Sequence, residues 1–599
     1  MSFFQRARAA SQSAPASSKS SKLGDLNGNV NRTAGETRRR VKAGSILAAC
    51  VSAAVLLTWL STPSTRASGA GSVTEPLCSQ VPPLYPHAQR ELWDGLSSTF
   101  ASPSFVDRAA HLLGGAVRVP TEVYDEMGPI GKDTRWEVFS DLHDYLRVAF
   151  PRVHASLELT KVNTYGLVYV WKGSDVSLKP LLLTAHQDVV PVNAETYDQW
   201  EHPPFSGYYD GTYVWGRGSA DDKSGLIGIL TSVELLLERG FQPRREITLA
   251  FGFDEEASGK EGGYEIGAYL LAAYGKDAFA MLVDEGGEIE ELYGGVFALP
   301  AVAEKGYLDV RVDVAAPGGH SSVPPAHTTI GMLAQLLVQY ENHPPKVRLS
   351  RASPMYQHAQ CLAAHAPGLS SSLREVIKKS ATSDEALALA EKQLFQDPVF
   401  KALVSTTQAV DMVGGGVKSN ALPENAMAII NHRIATDSSV AAVQEHSTAI
   451  LRPLAAAFNL SFTSFGSSLT SEVPASGTLT LSDAWDSALE PAPITPTGED
   501  SMAFKLLSGS IKATYESHRF LSGSEDSIVV IPSLGAGNTD TQFYWSLTPH
   551  IFRYTHYVTG PGSGSDKAHT VNEACKADSL VEMARFFSTL ILNVDEGAL

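Results

Sequence analysis

Cysteine is scarce in this chain of 599 residues: there are four, and no two of them have a CxxC spacing. A thiolate metal site needs clustered cysteines and a disulfide scaffold needs many, so both classes are excluded. Cys50 lies in an apolar run, whereas Cys78, Cys361 and Cys575 follow it. One disulfide and one free thiol can form among these three, and their spacing selects no pair.

Basic residues are also in the minority, with 47 Lys and Arg against 65 Asp and Glu and a net charge of −18. Because nucleic-acid phosphates demand a basic surface, the chain is not expected to bind nucleic acid. Apolar residues make up 43% and charged residues 19% of the chain. This composition excludes a disordered or collagen-like chain, and the length favours more than one domain.

The N-terminal part has the opposite charge, since residues 1–42 contain nine basic and two acidic residues. An uncharged run, AGSILAACVSAAVLLTWL, follows at 43–60 and would make a helix of about 27 Å, just long enough to span a bilayer. The flanking positive charge predicts a single-pass type II anchor with a cytosolic tail and a translocated C-terminal part. A cleaved signal peptide and a buried helix are the alternatives, and the long leader favours the anchor. Residues 61–78 are predicted to be a stalk, and the sequon at Asn459 would be lumenal and glycosylated.

Beyond the stalk, short apolar runs alternate with helical patterns, which predicts an α/β domain with a mostly parallel central sheet flanked by helices. Strands are expected at 180–186, 246–254 and 278–284, with a helix at 223–240. Ligands bind beyond the carboxyl ends of such strands, so the residues there should share one site.

The pattern changes near residue 305 to a β-α-β-β-α-β rhythm, which predicts an inserted α+β domain at 305–470. A helical insertion is predicted within it at 344–405. The catalytic domain would then comprise 79–304 and 471–599.

Acidic residues and one histidine follow the predicted strands and precede the predicted helix. Each group has an ordinary explanation when taken alone: His186 with Asp188 fits a surface pair, and Asp221 with Asp222 fits a helix N-cap. Four such groups in succession are harder to explain, because adjacent carboxylates repel one another unless a cation lies between them. The remaining members are Asp254, Glu255, Glu256, Asp284 and Glu285.

Seven motifs, in this order, resemble metallopeptidase family 20, which includes aminoacylase and glutamate carboxypeptidase: TAHQDVVPV, WGRGSADDKSG, FGFDEEASG, VDEGG, PGGHSSVPP, the Asn420-x-x-Pro423 turn and KAHTVNE. The resemblance covers about residues 85–595. Within the family, the anchor, the helical insertion and the run GNTDTQFYW at 537–545 resemble fungal vacuolar carboxypeptidases most.

The resemblance implies a site with two zinc ions per subunit. His186, Asp221 and Asp284 would bind one zinc and Glu256 and His569 the other, with Asp221 bridging. A mixed histidine and carboxylate set suits zinc, with cobalt or manganese as replacements. Asp222 could be mistaken for the bridging residue, but the spacing from the WGRG motif favours Asp221.

The resemblance also implies roles in catalysis and substrate binding. Glu255 would be the general base, Asp188 would orient His186, and His320 would bind the substrate carbonyl oxygen. Without the resemblance, the sequence around His320 favours a turn residue that caps a helix. Asn420 and Arg433 would hold the substrate's free carboxylate. His432 departs from the family pattern, because an acidic residue is frequent there, and this weakens the assignment of Arg433.

The function expected from these features is a zinc carboxypeptidase that releases C-terminal residues from short peptides, anchored in the vacuolar membrane with a lumenal catalytic part. An N-acyl-amino-acid hydrolase or synthase is the alternative enzyme, and a non-catalytic zinc-binding membrane protein is the alternative from another class. A homodimer could form through the inserted lid domain. The sequence selects neither the C-terminal residue nor the choice between peptide and fatty-acyl substrates.

Overall fold

A computed structural model of the chain describes residues 77–470, 475–521, 527–558 and 568–599. The basic tail, the predicted anchor at 43–60 and nearly all of the predicted stalk lie outside these residues. Among the helices within them, none combines the length and the apolar character that crossing a bilayer requires.

Helices cover both faces of the larger sheet and one face of the smaller one. The α-helices in the described part of the chain are α1 (Arg90–Phe100), α2 (Pro103–Val117), α3 (Val138–Ala149), α4 (Pro151–Ser156), α5 (Lys223–Glu238), α6 (Gly263–Tyr274), α7 (Thr329–Asn342), α8 (Pro354–His365), α9 (Ser371–Lys379), α10 (Asp384–Leu394), α11 (Pro398–Val404), α12 (Val440–Ala457), α13 (Met502–His518) and α14 (Ala577–Glu596).

The strands are numbered in the same way. They are β1 (Glu158–Val162), β2 (Gly166–Trp171), β3 (Leu181–His186), β4 (Tyr208–Tyr209), β5 (Tyr213–Trp215), β6 (Ile247–Gly252), β7 (Met281–Leu292), β8 (Gly295–Ala298), β9 (Ala301–Glu304), β10 (Gly306–Ala315), β11 (Gly319–His320), β12 (Thr407–Gly415), β13 (Ala421–Leu422), β14 (Asn425–Ile434), β15 (Leu460–Ser464), β16 (Ser467–Ser468), β17 (Gly477–Asp483), β18 (Val529–Val530), β19 (Ser533–Gly535), β20 (Ile551–Val558) and β21 (Ala574–Lys576).

The larger sheet has the order β1-β2-β6-β3-β7-β20-β9-β19, with β8 pairing with β7 and β18. Its four central strands, β6, β3, β7 and β20, run parallel to one another. Leu181 and Leu183 of β3 pack in a core with α5 and α14, whereas Leu182 packs on the other face with α6. Burial on both faces explains the continuous apolar run of β3, and the α/β prediction is confirmed for this sheet.

The smaller sheet has the order β12-β14-β10-β17-β15-β16. Side chains of β10 alternate between buried and partly buried, as a sheet with one covered face requires. One boundary differs from the prediction: β17 pairs with β10 and β15, so this sheet extends to Asp483 rather than ending at residue 470. The strand was missed because its seven residues lie close behind another short strand.

Helices α8 to α11 form a separate bundle in the region predicted to be a helical insertion. Their core includes Phe297, Leu299 and Ala303, so the bundle packs against the larger sheet. A disulfide joins Cys78 to Cys361 of α8, and Cys575 is a buried free thiol. The structure thereby selects one of the pairings that the sequence left open.

Candidate metal centre

Three parallel strands bring the predicted ligands to one edge of the larger sheet. His186 is the last residue of β3, and Glu255 and Glu256 begin a 3-10 helix just after β6. Glu285 lies in the neighbouring strand β7. These chain segments meet because the carboxyl ends of parallel strands lie at the same edge of a sheet.

Asp221 lies between the two predicted histidine ligands. Its Oδ1 is 3.1 Å from His186 Nε2, and its Oδ2 is 3.1 Å from His569 Nε2. The same His569 Nε2 lies 2.8 Å from Glu256 Oε1. The adjacent Asp222 instead caps α5, because its Oδ1 accepts a hydrogen bond from the backbone of Gly225. The geometry therefore supports Asp221, and not Asp222, as the bridging residue.

The donor atoms fall into overlapping groups that could each hold a metal ion. One group is His186, Asp221 and Glu285, and another is Asp221, Glu256 and His569; a third combines His186 with Glu255 and Glu256. Since the first two groups share Asp221, the arrangement fits a dinuclear centre. Its nitrogen and carboxylate donors, without thiolate, suit zinc.

The tautomer of His186 also fits a bound cation. His186 Nδ1 lies 3.0 Å from the backbone carbonyl oxygen of Asp188, which can only accept, so Nδ1 carries the proton. Nε2 faces the oxygens of Asp221 and Glu285, at 3.1 and 3.4 Å. A cation between these atoms would take the place of a proton on Nε2, because a metal ion is ligated by the lone pair of a neutral ring.

Asp284, a predicted ligand, is in none of the candidate metal groups of the described residues. Asp284 Oδ1 accepts a hydrogen bond of 2.7 Å from Thr184 Oγ1, inside the sheet. Glu285, its neighbour in β7, faces His186 instead and belongs to a candidate metal group. Because consecutive side chains of a strand point to opposite faces, the two carboxylates have different surroundings.

Electrostatics at the centre are those expected of crowded carboxylates. Burial raises the pKa of Glu255 and of Glu285 well above the ordinary range, and neighbouring carboxylates raise both further. Burial also acts to raise the pKa of Asp221, but hydrogen bonds from His186 and His569 hold it below its usual value. Hydrogen bonds to Asp221 and Glu256 raise the pKa of His569 to about 10. A site of this kind favours cations.

Asp188 supports both halves of the centre. Its Oδ1 lies 3.3 Å from His186 Nδ1, and its Oδ2 accepts a hydrogen bond of 3.0 Å from the backbone of Glu256. Asp188 is fully buried, so these contacts are sheltered from solvent. This position is consistent with the predicted role of orienting His186, and it adds a contact to the second group.

Glu573 was missed by the sequence analysis, although it closes the KAHTVNE motif. Its carboxylate accepts hydrogen bonds from Arg217 Nη1 at 2.6 Å and from the backbone of Ala220 at 2.9 Å. Glu573 and Arg217 are buried, and they hold the turn that presents Asp221. Both residues stand inside quoted motifs, so a search for paired opposite charges among the motifs would have found them.

The predicted substrate-binding residues lie on the smaller sheet and on an arm, the two-stranded sheet of β11 and β13 with Asn420 beside it. His320 and Asn420 are close together and exposed, since β11 pairs with β13 and His320 lies opposite Ala421. His320 Nδ1 lies 2.7 Å from Ser322 Oγ, and no hydrogen bond joins the ring to the metal ligands in the described chain. Arg433 is on β14, away from this arm, and donates to Asn538 Oδ1. The structure therefore brings the candidate metal-binding residues together but does not bring His320 and Asn420 to them.

Comparisons with known proteins identify the family. The sequence profile described as peptidase family M20/M25/M40 matches residues 182–593. The chain is similar to carboxypeptidase S of Saccharomyces cerevisiae, with 37% identity over 539 residues that cover 88% of this chain and 91% of that protein. It is also similar to N-fatty-acyl-amino acid synthase/hydrolase PM20D1 of Mus musculus, with 31% identity over 490 residues that cover 81% and 87%.

Similarity to a solved structure supports the fold. The crystal structure of human carnosine dipeptidase 1 superposes with a TM-score of 0.55 at 15% identity, covering 86% of this chain and all of that chain. The resemblance to metallopeptidase family 20 is thus confirmed, and the relatives show an enzyme of the metallo-exopeptidase class. The extent of the profile match and of the similarity to its relatives shows that the chain belongs to peptidase family M20/M25/M40.

Proposed function

We propose that this enzyme is a zinc-dependent carboxypeptidase that releases the C-terminal residue of short peptides. The observation that carries the proposal is the position of Asp221 between His186 and His569, with Glu256 and Glu285 completing the two donor groups. Carboxypeptidase S, at 37% identity, supports the choice of a carboxypeptidase. Glu285 takes the place that the sequence analysis gave to Asp284.

Two zinc ions held by these residues would supply Lewis acidity, which lowers the pKa of water and stabilises a tetrahedral oxyanion. Glu255 is the general base: it takes a proton from the attacking water and delivers it to the leaving amine. Its place beside Glu256 at the end of β6 suits this division of roles, since adjacent residues can point to different partners. Asp188 keeps the ring of His186 in the tautomer that ligation requires.

Substrate selection would rest on the free carboxylate. Arg433 is a partly buried guanidinium on β14, and a guanidinium can bind a carboxylate with two parallel hydrogen bonds. We assign this contact to Arg433, with Asn420 as a second donor. His320 would reach the substrate carbonyl oxygen from its exposed arm, from the same subunit or across a homodimer formed by the smaller sheets.

We infer that the catalytic part lies in an oxidising lumen, as in a vacuole. The disulfide between Cys78 and Cys361 supports this location, because disulfides are rare in a reducing cytosol. Asn459 is exposed, as a glycosylated asparagine must be. The anchor at 43–60 remains a prediction from the sequence.

An N-acyl-amino-acid hydrolase or synthase is the second candidate function. The similarity to PM20D1 of Mus musculus supports it, and the same metal ligands, base and carboxylate contact would serve it. The two functions differ only in the group that occupies the other side of the scissile amide.

The test compares two substrates of the zinc-loaded protein that end in the same free amino acid. One is a blocked dipeptide and the other is a long-chain N-acyl amino acid. We expect faster hydrolysis of the dipeptide; faster hydrolysis of the acyl compound would select the second function instead. Hydrolysis of neither would favour the non-catalytic alternative.

Glu255→Gln tests the mechanism in the same assay. We expect a fall in kcat of at least about a hundredfold, the usual range for loss of a general base. Metal content, measured by mass spectrometry, should stay at the wild-type value because Glu255 is not needed as a ligand. Ordinary activity in this variant would exclude Glu255 as the base.

A further inference from the structure

Asn538 connects the run GNTDTQFYW to the arginine proposed to bind substrate. Arg433 Nη1 donates a hydrogen bond of 3.2 Å to Asn538 Oδ1. Asn538 Nδ2 in turn donates a hydrogen bond of 2.7 Å to the backbone carbonyl oxygen of Lys305. Both contacts agree on the orientation of the amide, because a guanidinium can only donate and a carbonyl oxygen can only accept.

The chain just after Asn538 is held by a buried ion pair between Glu304 and Arg553. Glu304 Oε1 accepts a hydrogen bond of 3.0 Å from Thr539 Oγ1, and Glu304 Oε2 accepts one of 3.0 Å from Thr541 Oγ1. Arg553 Nη2 lies 3.0 Å from the same Oε2, and Arg553 Nε donates to Thr541 Oγ1. The residue after Asn538 is therefore hydrogen-bonded to Glu304. The carbonyl oxygen that accepts from Asn538 belongs to Lys305, the residue after Glu304.

The charge of Arg433 is not neutralised by the residues that hold it. In the described part of the chain, Arg433 forms no ion pair with a carboxylate; its partners are the neutral amide of Asn538 and the ring of Tyr307, whose centroid lies 5.6 Å from the guanidinium carbon. Lys305, buried nearby, adds a second basic group rather than an acidic one, and its Nζ donates to the carbonyl oxygen of Ala402. An anion is the partner that such an arginine lacks.

We propose that Asn538 is the positioning residue of the carboxylate site: its amide holds Arg433 in place without neutralising it, and this makes the enzyme select substrates with a free carboxylate. The inference rests on the proposed contact between Arg433 and the substrate. A carboxylate at position 538 would accept the same hydrogen bond but would compete with the substrate for the charge of Arg433.

The test measures the preference of the full-length, zinc-loaded enzyme for a blocked dipeptide over the same dipeptide with a C-terminal carboxamide. Asn538→Asp should lower kcat/KM for the free carboxylate by about tenfold to a hundredfold, the worth of a hydrogen bond between charged groups. The loss should appear in KM, and kcat/KM for the carboxamide should not change. Asn342→Asp, which adds the same charge at an exposed helix end, should behave like the wild type.

Asn538→Ser provides a second variant, because it removes the hold on Arg433 without adding charge. It should reduce the same preference by a smaller factor, with metal content and thermal unfolding as checks that the protein is folded. If both Asn538 variants kept the wild-type preference while Arg433→Gln abolished it, the inference would be wrong and the proposed function would stand. If the wild type itself had no preference for the carboxylate, the proposed contact of Arg433 would fail first.

Discussion

Asp284 and Glu285 differ in what surrounds them rather than in chemistry. Thr184 Oγ1 donates to Asp284 within the sheet, whereas Glu285 Oε1 lies 3.4 Å from the ring of His186. Buried carboxylates without a compensating charge are costly, so a bound cation matters most to the residue that faces it. Substitutions at these two adjacent positions can therefore be compared to identify which carboxylate binds the metal.

Replacing each carboxylate by its amide should separate the two roles. Glu285→Gln is expected to lose one of the two metal ions after dialysis, because an amide is a poor ligand and the group shared with His186 and Asp221 is broken. Asp284→Asn should keep both ions, since an amide oxygen still accepts the hydrogen bond from Thr184. Metal analysis by mass spectrometry measures both; the reverse pattern would restore Asp284 as the ligand.

Most of the centre was predictable from single residues in ordered motifs, namely His186, Asp221, Glu255, Glu256 and His569. The choice between Asp284 and Glu285 was not, because it depends on which of the two side chains β7 directs towards His186. Glu573 was missed because its partner Arg217 is 356 residues away in the chain, in another motif, so only a comparison between motifs would pair them. Motif order identifies the residues of a site, whereas side-chain direction depends on the assembled sheet.

At the scale of elements, the bundle α8 to α11 packs against the larger sheet, and one disulfide joins it to the start of the described chain. Cys361 lies in α8, and Cys78 lies next to the start of the described chain, 283 residues earlier. Leu77 and Cys78 also pack against the core of the bundle. The covalent bond therefore fixes the beginning of the described chain to the bundle.

Removing this disulfide should destabilise the enzyme by about 2–5 kcal/mol, the usual range for a native disulfide that closes a long loop. The measurement is chemical unfolding of wild type and of Cys78→Ser/Cys361→Ser, each with and without reductant. Reductant should lower the stability of the wild type to that of the variant and leave the variant unchanged. Equal stability of oxidised wild type and variant would show that packing alone holds the bundle.

The elements themselves were predictable where periodicity is strong, as in β3 and α5. The disulfide was not, because the spacing of three cysteines in distant parts of the chain selects no pair, and only the fold brings Cys78 to Cys361. The end of the smaller sheet was missed for a similar reason: β17 is short, and only its pairing with β10 and β15 assigns it to that sheet.

At the scale of the whole molecule, an enzyme of an acidic lumen would have to stay folded at low pH. Protonation of two buried histidines remote from the metal centre would lower its stability there. Burial lowers the pKa of His358 to about 4, and it does the same for His432. His358 packs between α8 and the larger sheet, with Nδ1 donating to the carbonyl oxygen of Pro532. His432 lies within β14. Both rings are buried, so protonation of either would place a charge away from water.

The sign of the resulting pH dependence follows from linkage. A histidine whose pKa falls from 6.5 to about 4 on folding contributes stability that is complete above pH 6.5 and is lost as the pH falls through about 4. At pH 5 the loss for His358 should be about 2 kcal/mol relative to pH 8.

His358→Gln, which cannot be protonated but can still donate to Pro532, should therefore show a smaller fall in unfolding free energy between pH 8 and pH 5. His343→Gln, at an exposed position, serves as the control and should follow the wild type. Parallel pH curves for His358→Gln and the wild type would mean that folding does not change the pKa of His358.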